Sequence, residues 1–177
     1  MSKTAASGLV VLALVISGCA GAYIPSTYAS YNGANNLPRR QPHAGVDFVS
    51  GYGSPALAAA DGRVVTTQQR TTGCGYGVLL AHDKYDRYTV YCHLKEVLVQ
   101  PGDTVKRGDV IGLVGTTGNA VNIPHVHLEL CVSMCPYGHA DGDLRNTEDP
   151  LVRADGCFDP KKQYPADRLV LTYPVKC

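Results

Sequence analysis

The chain lacks tryptophan altogether and has only two phenylalanines and two methionines. It lacks any block of like charge: 16 Lys+Arg against 15 Asp+Glu leave a formal net charge of +1 at pH 7. That excludes the basic stripe needed to track nucleic acid and the charged face needed to hold a membrane surface electrostatically. No stretch keeps helical periodicity over three turns, and no internal repeat or low-complexity segment stands out. The one long apolar run, residues 9–16, is too short to span a bilayer. The glycine clusters GCGYG (73–77) and GTTG (115–118) carry no Lys-Ser/Thr ending and open no helix. They read as turns rather than phosphate loops.

What is present reads as an exported protein. Lys3, the apolar run and the ending Ile16-Ser17-Gly18-Cys19 have the layout of a secretory signal, and the last four residues resemble the bacterial lipobox. The implied division is a lipoprotein signal peptide over 1–18 and a lipidated N-terminus and tether over 19–42, with the lipid on Cys19. Ala20 after the cysteine points to the outer membrane, facing the periplasm. Six further cysteines remain: Cys74, Cys92, Cys131, Cys135, Cys157 and Cys177. An even number in an exported chain reads as disulfides, with the pairing left open by the sequence. Cys131 and Cys135 are spaced like half a zinc site, but no second half follows at a typical distance.

At 177 residues the chain is long enough for one domain with a real core. Residues 20–42 show no apolar periodicity and read as a tether, part of it laid along the domain surface. From 43 to about 135, short β-type runs alternate with Gly and Asp turns: VDFVS, ALAAADGRVVTTQQ, GVLLAHD, YTVYCHL, PGDTV, DVIGLVG and HVHLELCVS. Residues 83–86 read as a hairpin connection. Residues 136–177 are polar and proline-punctuated, an extension packed on the domain and pinned by disulfides.

Chemistry concentrates in the histidines. HVHLEL puts His125 and His127 on the same face of a strand, an arrangement that suits a metal or a proton-transfer pair and also occurs on solvated sheets. His43 opens HAGVDF, with Asp47 four residues on. Gly45 between them permits a bend or a close backbone approach. His93 ends TVYCHL. Imidazole and carboxylate suit Zn²⁺, and a catalytic zinc keeps three protein ligands and one open position. His43, Asp47 and one histidine of the pair fill three such corners.

HAGVDF, YCHL and PHVHLE, in this order and spacing, resemble the LytM/lysostaphin-type zinc endopeptidases, which cut peptide bonds in peptidoglycan. GSPALAAADGRVV and VQPGDTVKRGDVIGLVGTTG extend the resemblance over residues 43 to about 132. It implies a mostly β protein, an antiparallel sheet with the site in a groove along it. It implies His43, Asp47 and His127 as ligands of one Zn²⁺, and His93 and His125 as catalytic histidines. The zinc peptidase domain is then 43–135. Glu129 shares the face of the pair and is either an outer partner of an imidazole or a solvent-facing glutamate. His82 reads as structural, and His139 lies in the polar extension.

Two departures stand out. TGNAVNIPHVHLE carries Asn122 and Ile123 where the family run has a glycine, and it is one residue longer. Cys92 stands where a small residue is commoner. By strand alternation Cys92 faces away from His93, which argues against a role as metal ligand.

The implied function is hydrolysis of peptidoglycan cross-links, of D-alanyl–diaminopimelate type in a Gram-negative-type envelope. A second reading is a non-catalytic activator of another wall hydrolase. Such proteins typically lose zinc ligands, whereas all five site residues are kept here. A third is a biotinyl/lipoyl carrier, suggested by VQPGDTVKRGDVIG, but no lysine has the setting for modification. The tether also offers Asn35 and Asn36 as residues able to mask the groove.

Overall fold

The computed structural model describes residues 22–120, 122–135 and 144–177. The expected signal, the lipidation site Cys19 and His139 lie outside the described residues.

Among the described residues ten strands form one antiparallel sheet: β1 Tyr23–Ser26, β2 Val46–Val49, β3 Pro55–Leu57, β4 Gly62–Gln69, β5 Tyr76–His82, β6 Arg87–Val97, β7 Thr104–Val105, β8 Val110–Val114, β9 His125–Cys131 and β10 Thr147–Glu148. The main path runs β1-β2-β9-β6-β5-β4-β7, with β10 beside β9 and β3 beside β8. The β5–β6 connection is a single 3₁₀ turn, Asp83–Tyr85, closed by Asp86 in the left-handed region. Among the described residues no helix is long and apolar enough to cross a membrane.

β9 is central, and all seven of its residues are buried. Val126, Leu128 and Leu130 point into the main core with Val46, Phe48 and Tyr91. Full burial of each such aliphatic side chain stabilises by about 1.5–3 kcal/mol relative to exposure. The intervening His125, His127 and Glu129 occupy the other face. That face is largely buried too, with little exposure left on its side chains. Beside the histidines it carries a second apolar cluster of Leu79, Val90 and four cysteines.

β6 is the longest strand: one edge runs along β5, and the other serves two partners. Tyr88 to Cys92 pair with β9, and Leu94 to Val97 pair with β8. His93 sits at the change-over with φ of 66°. Its N–H leaves both ladders and donates to the Cys74 carbonyl at 2.8 Å. This corrects the alternation argument. Cys92 pairs directly with His127 and so shares its face. The left-handed residue then turns the His93 ring to that same side.

Three disulfides settle the cysteine question: Cys74–Cys92, Cys131–Cys135 and Cys157–Cys177. The first ties the turn at 71–75 to β6. The last closes the C-terminal extension, whose Leu169, Leu171 and Val175 complete the main core. The N-terminal segment is likewise part of the sheet. β1 pairs with β2, placing Ser26 opposite Asp47.

Candidate active site

β2 and β9 pair with Asp47 opposite His127 and Val49 opposite His125. Directly opposed residues of an antiparallel pair project to one face, so three polar side chains meet there. His43 precedes β2, and Gly45 lets that chain lie against β9. A Cβ on Gly45 would stand 2.4 Å from the Leu128 carbonyl oxygen and 2.8 Å from His127 Cε1. The glycine is therefore required by close approach, not by a bend.

The result is a triangle of ligand atoms. His43 Nε2 lies 2.8 Å from His127 Nδ1 and 3.1 Å from Asp47 Oδ1, and His127 Nδ1 lies 3.0 Å from Asp47 Oδ1. Each member is held from behind. His43 Nδ1 is 3.1 Å from the Thr27 carbonyl and 2.9 Å from the Ser26 hydroxyl. A carbonyl only accepts, so Nδ1 carries the hydrogen and Nε2 presents a lone pair. His127 Nε2 donates to Glu129 Oε1 at 2.9 Å, leaving Nδ1 as the lone-pair nitrogen. Asp47 Oδ2 accepts from Arg39 at 2.7 Å. Three lone pairs thus converge and can satisfy one another only around a proton or a cation.

The residues fit zinc. Ligand bonds of about 2.0–2.2 Å in tetrahedral geometry separate ligand atoms by roughly 3.3 Å, close to the spacing seen. The electrostatics agree. His127 is pushed up to about 9: burial opposes its charge, and the Asp47 and Glu129 carboxylates outweigh burial. Burial would raise Asp47, but bonds from His127 and His43 hold it well below the usual carboxylate range. A place that binds a proton this strongly attracts a metal cation for the same reason. Among the described residues the other grouping of potential ligands, Glu129 with Cys131 and Cys135, has both sulfurs committed to a disulfide.

His93 and His125 flank the triangle with ring centroids 4.8 Å apart. His125 Nδ1 donates to the Ile123 carbonyl at 2.6 Å, and His93 Nδ1 to the Thr117 carbonyl at 2.9 Å. Both therefore turn a lone-pair Nε2 away from these carbonyls, and that of His125 lies 3.6 Å from Asp47 Oδ1. Burial lowers both, and neighbouring His125 and His127 help push His93 down to about 3. Both are neutral at pH 7 and able to accept a proton. Asn122, in the divergent loop, adopts φ of 62° immediately before Ile123, a conformation asparagine tolerates better than most residues.

Two recesses, of about 290 and 260 Å³, meet over His93 at Arg39 and Asn119. Arg40, Pro42, Gly73 and Cys74 wall the first; Asn35, Leu37 and Pro38 wall the second. The structure thus brings together all five expected residues, His43, Asp47, His93, His125 and His127. Glu129 proves to be a buried outer partner of His127. His82 lies apart, buried between the Asp61 carbonyl and the Thr89 hydroxyl. Ser26, Arg39, Thr117 and Asn119 escaped the sequence reading. They lie in turns and in the tether, where no periodicity marks them.

An inward-facing His-Asp-His set beside two neutral imidazoles, in an open groove, has the make-up of a metal-dependent hydrolase. The comparisons with known proteins narrow the class. The model of Peptidase family M23 matches residues 41–138, and the chain belongs to that family. It is 36% identical over 103 residues to the peptidoglycan DD-endopeptidase ShyB of Vibrio cholerae, covering 58% of this chain and 24% of that protein. It is 34% identical over 128 residues to the DD-carboxypeptidase/endopeptidase Mpg of Neisseria meningitidis, covering 72% of this chain and 28% of that one. The chain spans only about a quarter of the length of these relatives. The catalytic domain of lysostaphin from Staphylococcus simulans superposes with a TM-score of 0.61 at 26% identity, covering 74% of this chain and 90% of that one. A zinc-containing peptidase from Vibrio cholerae superposes with a TM-score of 0.54 at 32% identity, covering 63% and 33%.

Proposed function

We propose that this chain is a zinc-dependent endopeptidase that hydrolyses peptide cross-links of bacterial peptidoglycan, of the D-alanyl–diaminopimelate type. The observation that carries the reading is the triangle of His43 Nε2, Asp47 Oδ1 and His127 Nδ1, each member fixed from behind with its lone pair inward. The names of the relatives from Vibrio and Neisseria support the substrate class.

When bound, zinc polarises the scissile carbonyl and acidifies a water molecule. The chain's own residues supply the rest. The two recesses receive the peptide on either side of the scissile bond, so that bond crosses at His93. One of His125 and His93 would take the water's proton at its Nε2, and a proton would pass from the pair to the departing amine. The Ile123 and Thr117 carbonyls keep both rings in the tautomer this requires. In the same reading Cys19 carries the lipid that anchors the chain to the membrane.

The test uses residues 20–177 incubated with isolated Gram-negative sacculi, with the released muropeptides read by mass. Loss of cross-linked dimers that a chelator and His127→Ala both abolish supports the reading, and the masses identify the bond. Binding to sacculi without cleavage by the zinc-loaded protein transfers the weight to an activator. Anchoring is checked by fractionating cells that express the full chain or Cys19→Ala. Release of only the variant from the membrane fraction is the expected result.

A further inference from the structure

Residues 22–42 look like a strap across the groove, and a strap suggests a mask. The contacts say otherwise. Asn35 Oδ1 accepts the Leu37 N–H within its own turn. Ser26 and Thr27 back His43, and Arg39 is the strap residue that bonds Asp47, through Oδ2, the oxygen outside the triangle. The Asp47 side chain is fully buried, while that of Arg39 is 33% exposed.

The Arg39 guanidinium is itself held. Its Nε donates to the Asn32 carbonyl at 3.3 Å, and a terminal nitrogen lies 3.4 Å from Ser26 Oγ. Ser26 Oγ donates to the Asn32 carbonyl at 2.7 Å and lies 2.9 Å from His43 Nδ1. One buried hydroxyl therefore connects the groups behind two of the three triangle members. Ser26, Thr27 and Arg39 all precede residue 41, where the family match begins.

We infer that Arg39 is a positioning residue for the metal site. It holds Asp47 by Oδ2 so that Oδ1 alone faces the metal, and Ser26 couples it to His43. Without the guanidinium, the carboxylate is free to rotate, and a buried oxygen loses a charge-assisted bond. Removing outer partners of metal ligands typically costs 10–100-fold in metal affinity. The inference rests on the zinc reading above.

The experiment measures zinc affinity of residues 20–177 by competition with a chromophoric chelator, for wild type, Arg39→Met, Arg39→Lys and His127→Ala. The visible spectrum of the cobalt(II)-substituted proteins and kcat and KM on sacculi are recorded alongside. Arg39→Met is expected to weaken zinc by roughly 10–100-fold, alter the cobalt spectrum and lower kcat with KM unchanged. Arg39→Lys, which restores a cation but not the fork, recovers part of the loss. Wild-type affinity and spectrum in Arg39→Met would overturn the inference. So would increased hydrolysis at unchanged affinity, the signature of a mask, or a change in KM alone, the signature of a substrate contact. Should Arg39→Met not fold, Ser26→Ala carries the same expectation at smaller size. If wild type binds no zinc, or His127→Ala binds it equally, the zinc reading itself fails. If those two behave and Arg39→Met matches wild type, only this inference fails.

Discussion

Cys74–Cys92 and Cys157–Cys177 close loops of nearly equal length, with sequence separations of 18 and 20. Loop-closure entropy assigns each about 3 kcal/mol of stability through the unfolded chain. For a chain of this size that corresponds to a fall of roughly 6–12 °C in Tm. Their surroundings differ. Cys74 walls the first recess, and its carbonyl accepts the His93 N–H at 2.8 Å. Gly118, at φ of 66°, packs its backbone against Gly73 and Gly75 of the same turn, where an added Cβ would stand 2.3 Å from the Gly73 carbonyl oxygen. Cys157–Cys177 closes the C-terminal extension and lines neither recess. Replacing either pair with alanine should therefore lower Tm by similar amounts. Only the Cys74/Cys92 replacement should also lower kcat, by roughly three- to tenfold, the equivalent of one hydrogen bond positioning His93. Urea melts supply the stability and muropeptide release supplies kcat, both at a temperature where every variant is folded. Equal effects on kcat from the two replacements, or none from Cys74/Cys92, would refute the claim that this disulfide positions His93.

Three further outcomes are expected. Gly45→Ala should cost about 1–3 kcal/mol by urea melt and weaken zinc retention against a chelator, because the new methyl meets Leu128 and His127. Glu129→Gln keeps the shape but removes the charge behind His127, and chelator competition should show roughly tenfold weaker zinc. His82 has its pKa lowered below 6.5 by burial, against the raising effect of the Asp61 carbonyl. Below about pH 6.5 the unfolded chain then takes up a proton that the native state refuses, so stability falls with pH until the folded pKa is reached. Urea melts between pH 7.5 and 5.5 should show this slope in wild type and a shallower one in His82→Gln.

Much of the site was legible because its residues lie on strands with a strict period or in a close-set motif. His125 and His127 share a face by alternation, and HAGVDF sets His43 and Asp47 about one glycine. The expected β runs also appear, with PGDTV reduced to the two-residue strand β7. The rest depended on departures from regularity. His93 reaches the site through a left-handed residue at a change of strand partner, which alternation cannot foresee. Arg39 and Ser26 act from a segment whose composition reads as linker. The disulfide pairing needed the tertiary fold, since Cys74 meets Cys92 only after β5 and β6 have paired. For Glu129 the sequence leaves an outer partner and a surface glutamate equally open, and burial decides it: the residue is 2% exposed and accepts from His127.

That burial has a consequence in time. A strand enclosed on both faces and paired on both edges opens only when the whole domain opens, so its amides should exchange with solvent near the slowest rate in the molecule. The groove walls at 32–40, 71–75, 116–120 and 122–124 lie outside the long strands, in turns, bends and isolated bridges, where local opening generally costs less than opening a buried strand. The protein thus separates two clocks. The strand that supplies His125, His127 and Glu129 should stay assembled through local openings at the edges, and slower amide exchange in 125–131 than in those edges is the expected sign.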